Sequence, residues 1–452
     1  MSNKFFPIPF RVVLPAMRLL ALVLFAAVFL FIRCPEPITN PIVYAEDGAW
    51  IAMGLREGWP YTLFHARDDY FVWLNILLLF FATLISGITS GSLVWNLGYT
   101  IAIVSYIFYG SLAVLAYKTM CRILPHSFCL LLFFLILLMP LGLSQEEVFG
   151  RLVQIGFHIP FMVLLLLYWR KFHAGTKLRY GIDGLIVLSA GTNPVVFALV
   201  AVYLGIELTH TRNISALLKN EASLLVPLAI LLIVLLPRMG GTGGIPEPFK
   251  ASSVLETVGA RMILYPLIFP WYRFMNDGTT IAGVLIFCVV VLVSFFTPLR
   301  PRTRYILTLS TLSLLVLITA TLVMRPGLTS FLNAYTTTFP DRYFMGVNVI
   351  ALLVLIIALS QLASSPQKKF RYPGIAGSVF VVFVYAIGIL HIIYPPRFTP
   401  FLHAPPFSSR LCAAQSVPGD TSSVVVIIEP EASSGWRGII PKTLLPIEKC
   451  ND

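Results

Sequence analysis

Charged residues are scarce in this chain of 452 residues. Asp, Glu, Lys and Arg make up 12% of it, whereas a soluble domain carries roughly 25%. The deficit excludes an ordinary soluble protein, because 58% of the residues are hydrophobic and apolar runs of about 20 residues, the length that spans a bilayer, recur along the chain. Lipid offers no water to backbone amides, so these runs should be helices.

Metal-binding motifs are also missing from the sequence. The six cysteines show neither CxxC nor Cys/His ligand spacing, which argues against a metal cluster. Cys412 and Cys450 lie in a polar tail, and a bridge between them would close a loop of roughly 40 residues and contribute roughly 3–4 kcal/mol in the chain-entropy model. Such a bridge fits an oxidising compartment, although Cys34, after the first apolar run, could compete for either partner.

The apolar runs predict an all-α polytopic membrane protein with about 11–12 hydrophobic segments. We place these segments at residues 12–32, 70–90, 93–117, 126–143, 158–170, 181–193, 194–210, 222–237, 280–297, 304–323, 344–363 and 375–394. The chain then divides into a transmembrane domain, 1–394, and an extracytoplasmic tail, 395–452. Within the tail, residues 424–428 have the pattern of a short buried strand.

Lys and Arg clusters set the expected orientation. From Lys118 onward, consecutive clusters are separated by two segments, so they share one side, which should be the cytoplasm. The net charge of +12 therefore reflects membrane topology and does not indicate a nucleic-acid partner. The loops on the other side are 33–69, 144–157, 238–279 and 324–343, together with the tail.

The two segments 70–90 and 93–117 raise a parity problem. They lie between the first outer loop and Lys118, where an odd number of crossings is required. One of the two should therefore be an interfacial or re-entrant segment that does not cross the membrane.

Acidic residues are concentrated on the predicted outer side. About 17 of the 20 Asp and Glu residues fall there, and only Asp183, Glu207 and Glu221 do not. Acids contribute little to topology, so the orientation rule does not force this result. A face with this many charges indicates a polar site.

The strongest local motif is YAEDG at 44–48, shortly after the first helix. Adjacent residues do not share a helix face, so one of Glu46 and Asp47 should face a site while the other caps the following helix. A partly dehydrated carboxylate has a raised pKa and can act as a general base. The alternative is a plain helix cap. The same loop continues to Arg67, which either lines this site or belongs to an interfacial belt.

Two further groups lie in the outer loops. Glu147 and Arg151 would pair at i,i+4 on a helix, with His158 near the same face, although a lone histidine is more often structural. Arg342 and Tyr343 precede an apolar run. Arginine at a membrane edge suits a phosphate because its planar fork binds oxygens bidentately, but it also suits a snorkelling side chain.

These motifs together resemble those of the C-type (GT-C) membrane glycosyltransferases. YAEDG resembles the acidic motif in the first outer loop of that family. The segments around Glu146 and at 341–344 (DRYF) are similar to patterns in bacterial members, and the tail with two cysteines and SGWR at 434–437 is similar to that of some of them. The phage-type O-antigen glucosyltransferases are the functional relatives that the resemblance suggests.

The resemblance implies an inverting transfer of a sugar from a polyprenyl-phosphate donor to an acceptor glycan, such as O-antigen or another cell-surface polysaccharide. It implies Asp47 as the base, with Glu46 second. The substrate- and phosphate-binding candidates are Arg342, then Arg151 and Arg67, with Glu147, His158 and Tyr343. We expect no metal or other cofactor. The expected location is the bacterial inner (plasma) membrane, multi-pass, with the active face and the C-terminus periplasmic.

Other classes of function remain open from the sequence. A transporter or flippase of lipid-linked glycans predicts ionisable groups near the middle of the helices and an internal repeat. A polysaccharide ligase or polymerase normally has a large outer loop late in the chain, for which 238–279 is a modest candidate. A structural subunit of a membrane complex would not need acids concentrated at one face.

Overall fold

The computed structural model describes residues 10–172, 175–238, 249–298, 300–332, 335, 341–394, 404–415, 422–428, 437–445 and 447–450. Its α-helices are α1 (Phe10–Arg33), α2 (Glu36–Thr39), α3 (Ala45–Glu57), α4 (Trp59–His65), α5 (Trp73–Ser90), α6 (Leu97–Met120), α7 (His126–Leu137), α8 (Gln145–Val148), α9 (Ile159–Phe172), α10 (Thr176–Ala190), α11 (Val195–Thr211), α12 (Ile214–Leu235), α13 (Tyr265–Ile268), α14 (Asp277–Phe295), α15 (Pro301–Met324), α16 (Leu328–Phe331), α17 (Met345–Ala363), α18 (Lys368–Ile393) and α19 (Phe407–Gln415). A π-helix spans Leu255–Leu264, and two strands, β1 (Ser423–Ile427) and β2 (Arg437–Pro441), follow α19.

The chain is an all-α, multi-pass membrane protein. Within the described residues, nine helices are long and apolar enough to cross a bilayer. This confirms the predicted all-α polytopic class, although the number is lower than the 11–12 segments expected. α17 lies at the centre, because 94% of its most apolar window is buried by other helices. The outer helices expose large apolar side chains, as lipid-facing surfaces do.

Several predicted segment limits were wrong. α12 begins at Ile214 instead of 222, because the Asn213 side chain accepts the Ala216 amide proton at 3.0 Å and starts the helix before its apolar part. α7 ends at Leu137. The interval 238–279, predicted to be a loop, contains the π-helix, α13 and a further helical turn at Phe269–Phe274; its residues 239–248 lie outside the described residues.

One end of the helix bundle, which we call the loop face, carries residues 34–72 and 138–158. Arg33, at the end of α1, donates to the Met139 carbonyl at 2.6 Å. α6 runs antiparallel to α1: Tyr106 donates to the Cys34 carbonyl, and Gly110 packs on the α1 backbone. α6 therefore starts at the loop face and ends, near Lys118, at the opposite face.

Both ends of α5 have contacts at the loop face, as expected of the non-crossing segment in the parity argument. At its start, Asn75 donates to the Leu152 carbonyl at 2.7 Å, on the loop face. At its end, the Ser90 carbonyl accepts from Lys449 in the tail, and Leu97 begins α6 at the same face. Both ends of α5 thus lie at the loop face, and its exposed apolar residues, such as Ile88 at 85% exposure, suit an interfacial position.

The helical stretch 251–274 also has both ends at the loop face. The Lys250 amide donates to Thr329 Oγ1 at 2.8 Å, just past the end of α15. After the stretch, Asp277 accepts from the Tyr335 hydroxyl at 2.8 Å. Asn348, in the first turn of α17, donates to two carbonyls of the π-helix and anchors it. This stretch therefore dips into the bundle and returns.

An ion-pair network joins α9, α10, α11, α12 and α15 near the opposite face. Its members are Arg170 with Asp183 and Glu221, Arg179 with Glu221, Lys171 with Glu207, and the hydroxyls of Tyr203 and Tyr305. The three acids that the sequence analysis left off the outer side are therefore all paired. Removing one partner of a buried pair costs about 3–5 kcal/mol, so the network fixes these five helices together.

The tail packs on α3. β1 and β2 pair antiparallel, and a disulfide joins Cys412 to Cys450, the pair that the sequence analysis considered. A Cβ on Gly48 would lie 2.6 Å from the Ile428 side chain, so only glycine allows this approach. A Cβ on Gly438 would lie 3.1 Å from the Ala52 side chain, a tight but less severe contact. The hairpin therefore covers the helix that carries the acidic motif.

Candidate functional site

α3 places the two adjacent carboxylates in different surroundings. The helix begins at Ala45, so Glu46 and Asp47 both lie in its first turn, where negative charge is favoured. The Asp47 side chain turns inward and is fully buried, and its Oδ2 accepts the Leu152 amide proton at 2.9 Å. Glu46 is half-buried on another side of the helix. This arrangement agrees with the expectation that adjacent acids divide their roles.

Asp47 has the electrostatics of a proton acceptor. Complete burial raises the pKa of Asp47 from 3.8 to about 7, although the Leu152 amide and the Arg151 guanidinium favour the ionised form. Its second oxygen, Oδ1, is buried and has no hydrogen-bond partner among the described residues. A carboxylate that titrates near neutral pH and keeps one free oxygen is suited to general base catalysis.

The expected Glu147–Arg151 pair does not form. α8 ends at Val148, and Gly150 has a positive φ of 78°, so residues 147 and 151 do not share a helical turn. Arg151 is buried and donates to the carbonyls of Ile42, at 3.0 Å, and Gly150. Burial lowers the pKa of Arg151. This guanidinium connects two loop segments inside the protein and is not exposed to a ligand.

Glu147 instead joins three segments that are distant in sequence. Its carboxylate is almost fully buried, accepts from the Tyr44 hydroxyl at 2.9 Å, and forms an ion pair with Arg342. Arg342 lies 5.0 Å from the ring centroid of Tyr343 and remains partly exposed. The first loop, the loop before α9 and the turn before α17 therefore meet at Glu147.

A cavity of about 100 Å³ opens beside this cluster, between α9, α11, α15 and α17. Its walls include Tyr70, Asn193, Arg325 and Tyr343 together with apolar side chains. The Arg325 guanidinium lies 4.6 Å from the ring centroid of Tyr343 and 5.2 Å from that of Phe157. No ion pair involves Arg325 within the part of the chain that the structure describes.

Arg325 was missed as a site residue by sequence reasoning. The sequence pattern around Arg325 is not distinctive, because several other arginines also end an apolar segment on the predicted outer side. Arg67, which was named, donates to both oxygens of Asp69 at 2.9 Å and lies over Tyr70. Arg67 therefore borders the cavity through Tyr70, with its charge already paired.

His158 lies deeper, among packed side chains. It contacts Met345 and meets the Tyr109 ring edge-on, with centroids 4.6 Å apart. Burial lowers the pKa of His158 to about 3, so the ring is neutral. This position suits packing better than ligand binding.

The donor set at the loop face consists of carboxylates, guanidiniums and tyrosine hydroxyls. Within the described residues, no group of three or more His, Cys, Asp or Glu side chains could hold a metal ion. The side chain of Asp341 and the tail residues 434–436 lie outside the description. No family model, curated protein or solved structure matches this chain.

Proposed function

We propose that this protein transfers a sugar from a polyprenyl-phosphate donor to a glycan hydroxyl at the loop face, which would be periplasmic. The observation that carries the proposal is the position of Arg325. This guanidinium, which has no ion pair among the described residues, lines a cavity at the loop face. The buried carboxylate of Asp47, with a pKa of about 7, lies at the same face, where it accepts from the Leu152 amide. A lipid-linked donor cannot leave the bilayer, so its enzyme needs a phosphate-binding group and a base at the membrane edge.

Asp47 would be the base in this reaction. The acceptor oxygen attacks the anomeric carbon, the bond from that carbon to the phosphate oxygen breaks, and the acceptor proton passes to Asp47 Oδ1. Because the attack comes from the face opposite the leaving phosphate, the transfer inverts the anomeric configuration. The phosphate can leave as an anion, so one base suffices.

Access to Asp47 requires a local movement. Its carboxylate has no exposed surface, and the tail hairpin packs on α3 through Ile428 and Gly438. Displacement of this hairpin or of α3 would admit the acceptor. Glu46, half-buried in the same helical turn, is the second candidate for the base.

Arg325 would hold the leaving phosphate, assisted by Arg342. Arginine suits this role because its planar donors match phosphate oxygens. Arg342 is paired with Glu147 here, so it would have to exchange that carboxylate for the donor phosphate. The Tyr44 hydroxyl also binds Glu147 and would keep it hydrogen-bonded after such an exchange.

Transport of lipid-linked glycans is the alternative, and it predicts ionisable groups near the middle of the helices. In the described helices, the buried acids of the network are Asp183 in the middle of α10, Glu221 in the first half of α12 and Glu207 near the end of α11. Each has a cationic partner, and such fixed pairs suit a structural connection better than a transport path.

The test is a transfer assay in membranes with a radiolabelled polyprenyl-phosphate hexose. Asp47→Asn should abolish transfer, while the matched substitution Asp68→Asn, at an exposed position of the same loop, should leave it intact. Glu46→Gln should lower it less than Asp47→Asn. Full transfer by the Asp47→Asn protein would remove the assignment of the base.

A further inference from the structure

A second, larger cavity lies between α11 and α15, near the opposite face. Its volume is about 790 Å³, within the range of about 300–1,000 Å³ that is usual for small-ligand sites. Its walls are mostly apolar and include Val202, Gly205, Ile206, Leu312, Leu315 and Val316. Leu312 and Leu315 are 40% and 56% exposed on the outside of the bundle, so the cavity opens sideways, where lipid chains would be.

Cationic side chains surround the end of this cavity that is nearest the membrane surface. Lys171 and Arg304 line it, and Arg302 lies 5.6 Å from the ring centroid of Phe172, which also lines it. Arg304 is exposed and has no ion pair among the residues that the structure describes. Lys171 is fixed by buried Glu207 and remains partly exposed. The net charge of this rim is positive.

We infer that this cavity binds an anionic diacyl phospholipid, with its acyl chains against the apolar walls and its phosphate between Arg304 and Lys171. The apolar walls exclude a free phosphate ion as the natural occupant, because nothing deeper in the cavity would replace its hydration. The acyl chains of a zwitterionic lipid would pack equally well against the apolar walls. Its headgroup would bind the cationic side chains less strongly, because cations near a membrane surface attract anionic headgroups.

The site does not depend on the proposed sugar transfer. It lies at the other end of α11 and α15 from Arg325, and none of its lining residues belongs to the cluster around Glu147. A bound lipid would lie directly beside the ion-pair network through Lys171 and Glu207. We therefore expect it to stabilise the fold of α9 to α12 without touching the groups that react.

The test uses the full chain, purified in detergent and delipidated, with phosphatidylglycerol and phosphatidylcholine of identical acyl chains as probes. Native mass spectrometry should show phosphatidylglycerol binding about tenfold tighter, the effect of one charged hydrogen bond. Arg304→Gln should remove this preference, whereas Arg371→Gln, at an exposed position of the same face, should keep it. Inorganic phosphate alone should not raise the melting temperature.

A second variant tests the cavity itself. A Cβ on Gly205 meets nothing within 4 Å, so Gly205→Leu can fill the cavity without a clash. It should weaken binding of both lipids, whereas Gly184→Leu, which also meets open space, should not. Equal affinity of the unaltered chain for the two lipids, or undiminished binding by the folded Gly205→Leu protein, would overturn the inference.

Discussion

Asp47→Asn should change how stability depends on pH. The pKa of Asp47 rises from 3.8 in the unfolded chain to about 7 in the fold. Below pH 4 the carboxyl is protonated in both states and has no pH-dependent effect. Between pH 4 and 7 only the unfolded state loses the proton, so folding stability falls as pH rises. Above pH 7 the carboxyl is ionised in both states, and the decrease in stability no longer changes with pH. At 1.4 kcal/mol per pH unit, the interval corresponds to about 4 kcal/mol.

Asparagine has nearly the same shape and its side-chain oxygen can still accept the Leu152 amide proton, but it does not titrate. The free energy of unfolding of Asp47→Asn, relative to the unaltered chain, should therefore rise by up to about 4 kcal/mol between pH 4 and 7.5. Thermal unfolding in one detergent across this range measures the effect. Subtracting the two curves removes every other titrating group, because all of them are common to both chains.

The same substitution should abolish sugar transfer while it stabilises the protein at neutral pH. A loss of activity together with a gain in stability distinguishes a functional carboxylate, retained at a cost in stability, from a structural helix cap. Parallel pH–stability curves for the two chains would refute the burial argument. A variant that is less stable than the unaltered chain at pH 7.5 would indicate that the ionised carboxylate supports the fold.

Three other substitutions test the surroundings of the site. Arg325→Gln should lower kcat/KM for the donor about tenfold with little change in melting temperature, since Arg325 has no ion pair among the described residues; an unchanged kcat/KM would argue against phosphate binding. Glu147→Gln should destabilise the fold by roughly 1.5–3 kcal/mol, because it removes the charge that faces the partly exposed Arg342. Glu57→Gln, in an exposed pair, should cost under about 1 kcal/mol; equal melting temperatures would contradict this. Cys412→Ser should weaken the tail by roughly 3–4 kcal/mol, seen as faster limited proteolysis, and an unchanged rate would show that the bridge does not hold it.

The membrane character of the fold could be predicted from the sequence, because apolar length and charge scarcity are local properties. The parity argument singled out two segments, and the contacts of Asn75 and Ser90 place both ends of one of them, α5, at the loop face; which segment crosses the membrane stays a prediction. The helical stretch 251–274 was missed, since its mixture of polar and apolar residues, including Glu256 and Arg261, is typical of a loop in a sequence read alone.

Pairing between distant residues could not be read from the sequence. Glu147 was expected to pair with Arg151 four residues later, but the chain leaves the helix at Val148 and brings Glu147 to Arg342. The importance of Arg325 depends on a cavity between helices, which no local pattern encodes. The sequence did locate the segments that meet at the loop face, because charges inside a membrane protein are expensive and therefore concentrated.

Photo-crosslinking of polyprenyl phosphate that carries a diazirine near its phosphate tests the central claim most directly. With the full chain in nanodiscs, mass spectrometry should find the label on the residues that line the cavity beside Arg325, namely 193–195, Leu317, Ala320, Thr321 and Met324. Unlabelled polyprenyl phosphate should compete, and Arg325→Gln should reduce the labelling while Arg371→Gln does not. Labelling spread evenly over the lipid-facing helices, or unaffected by Arg325→Gln, would contradict a donor site at the loop face.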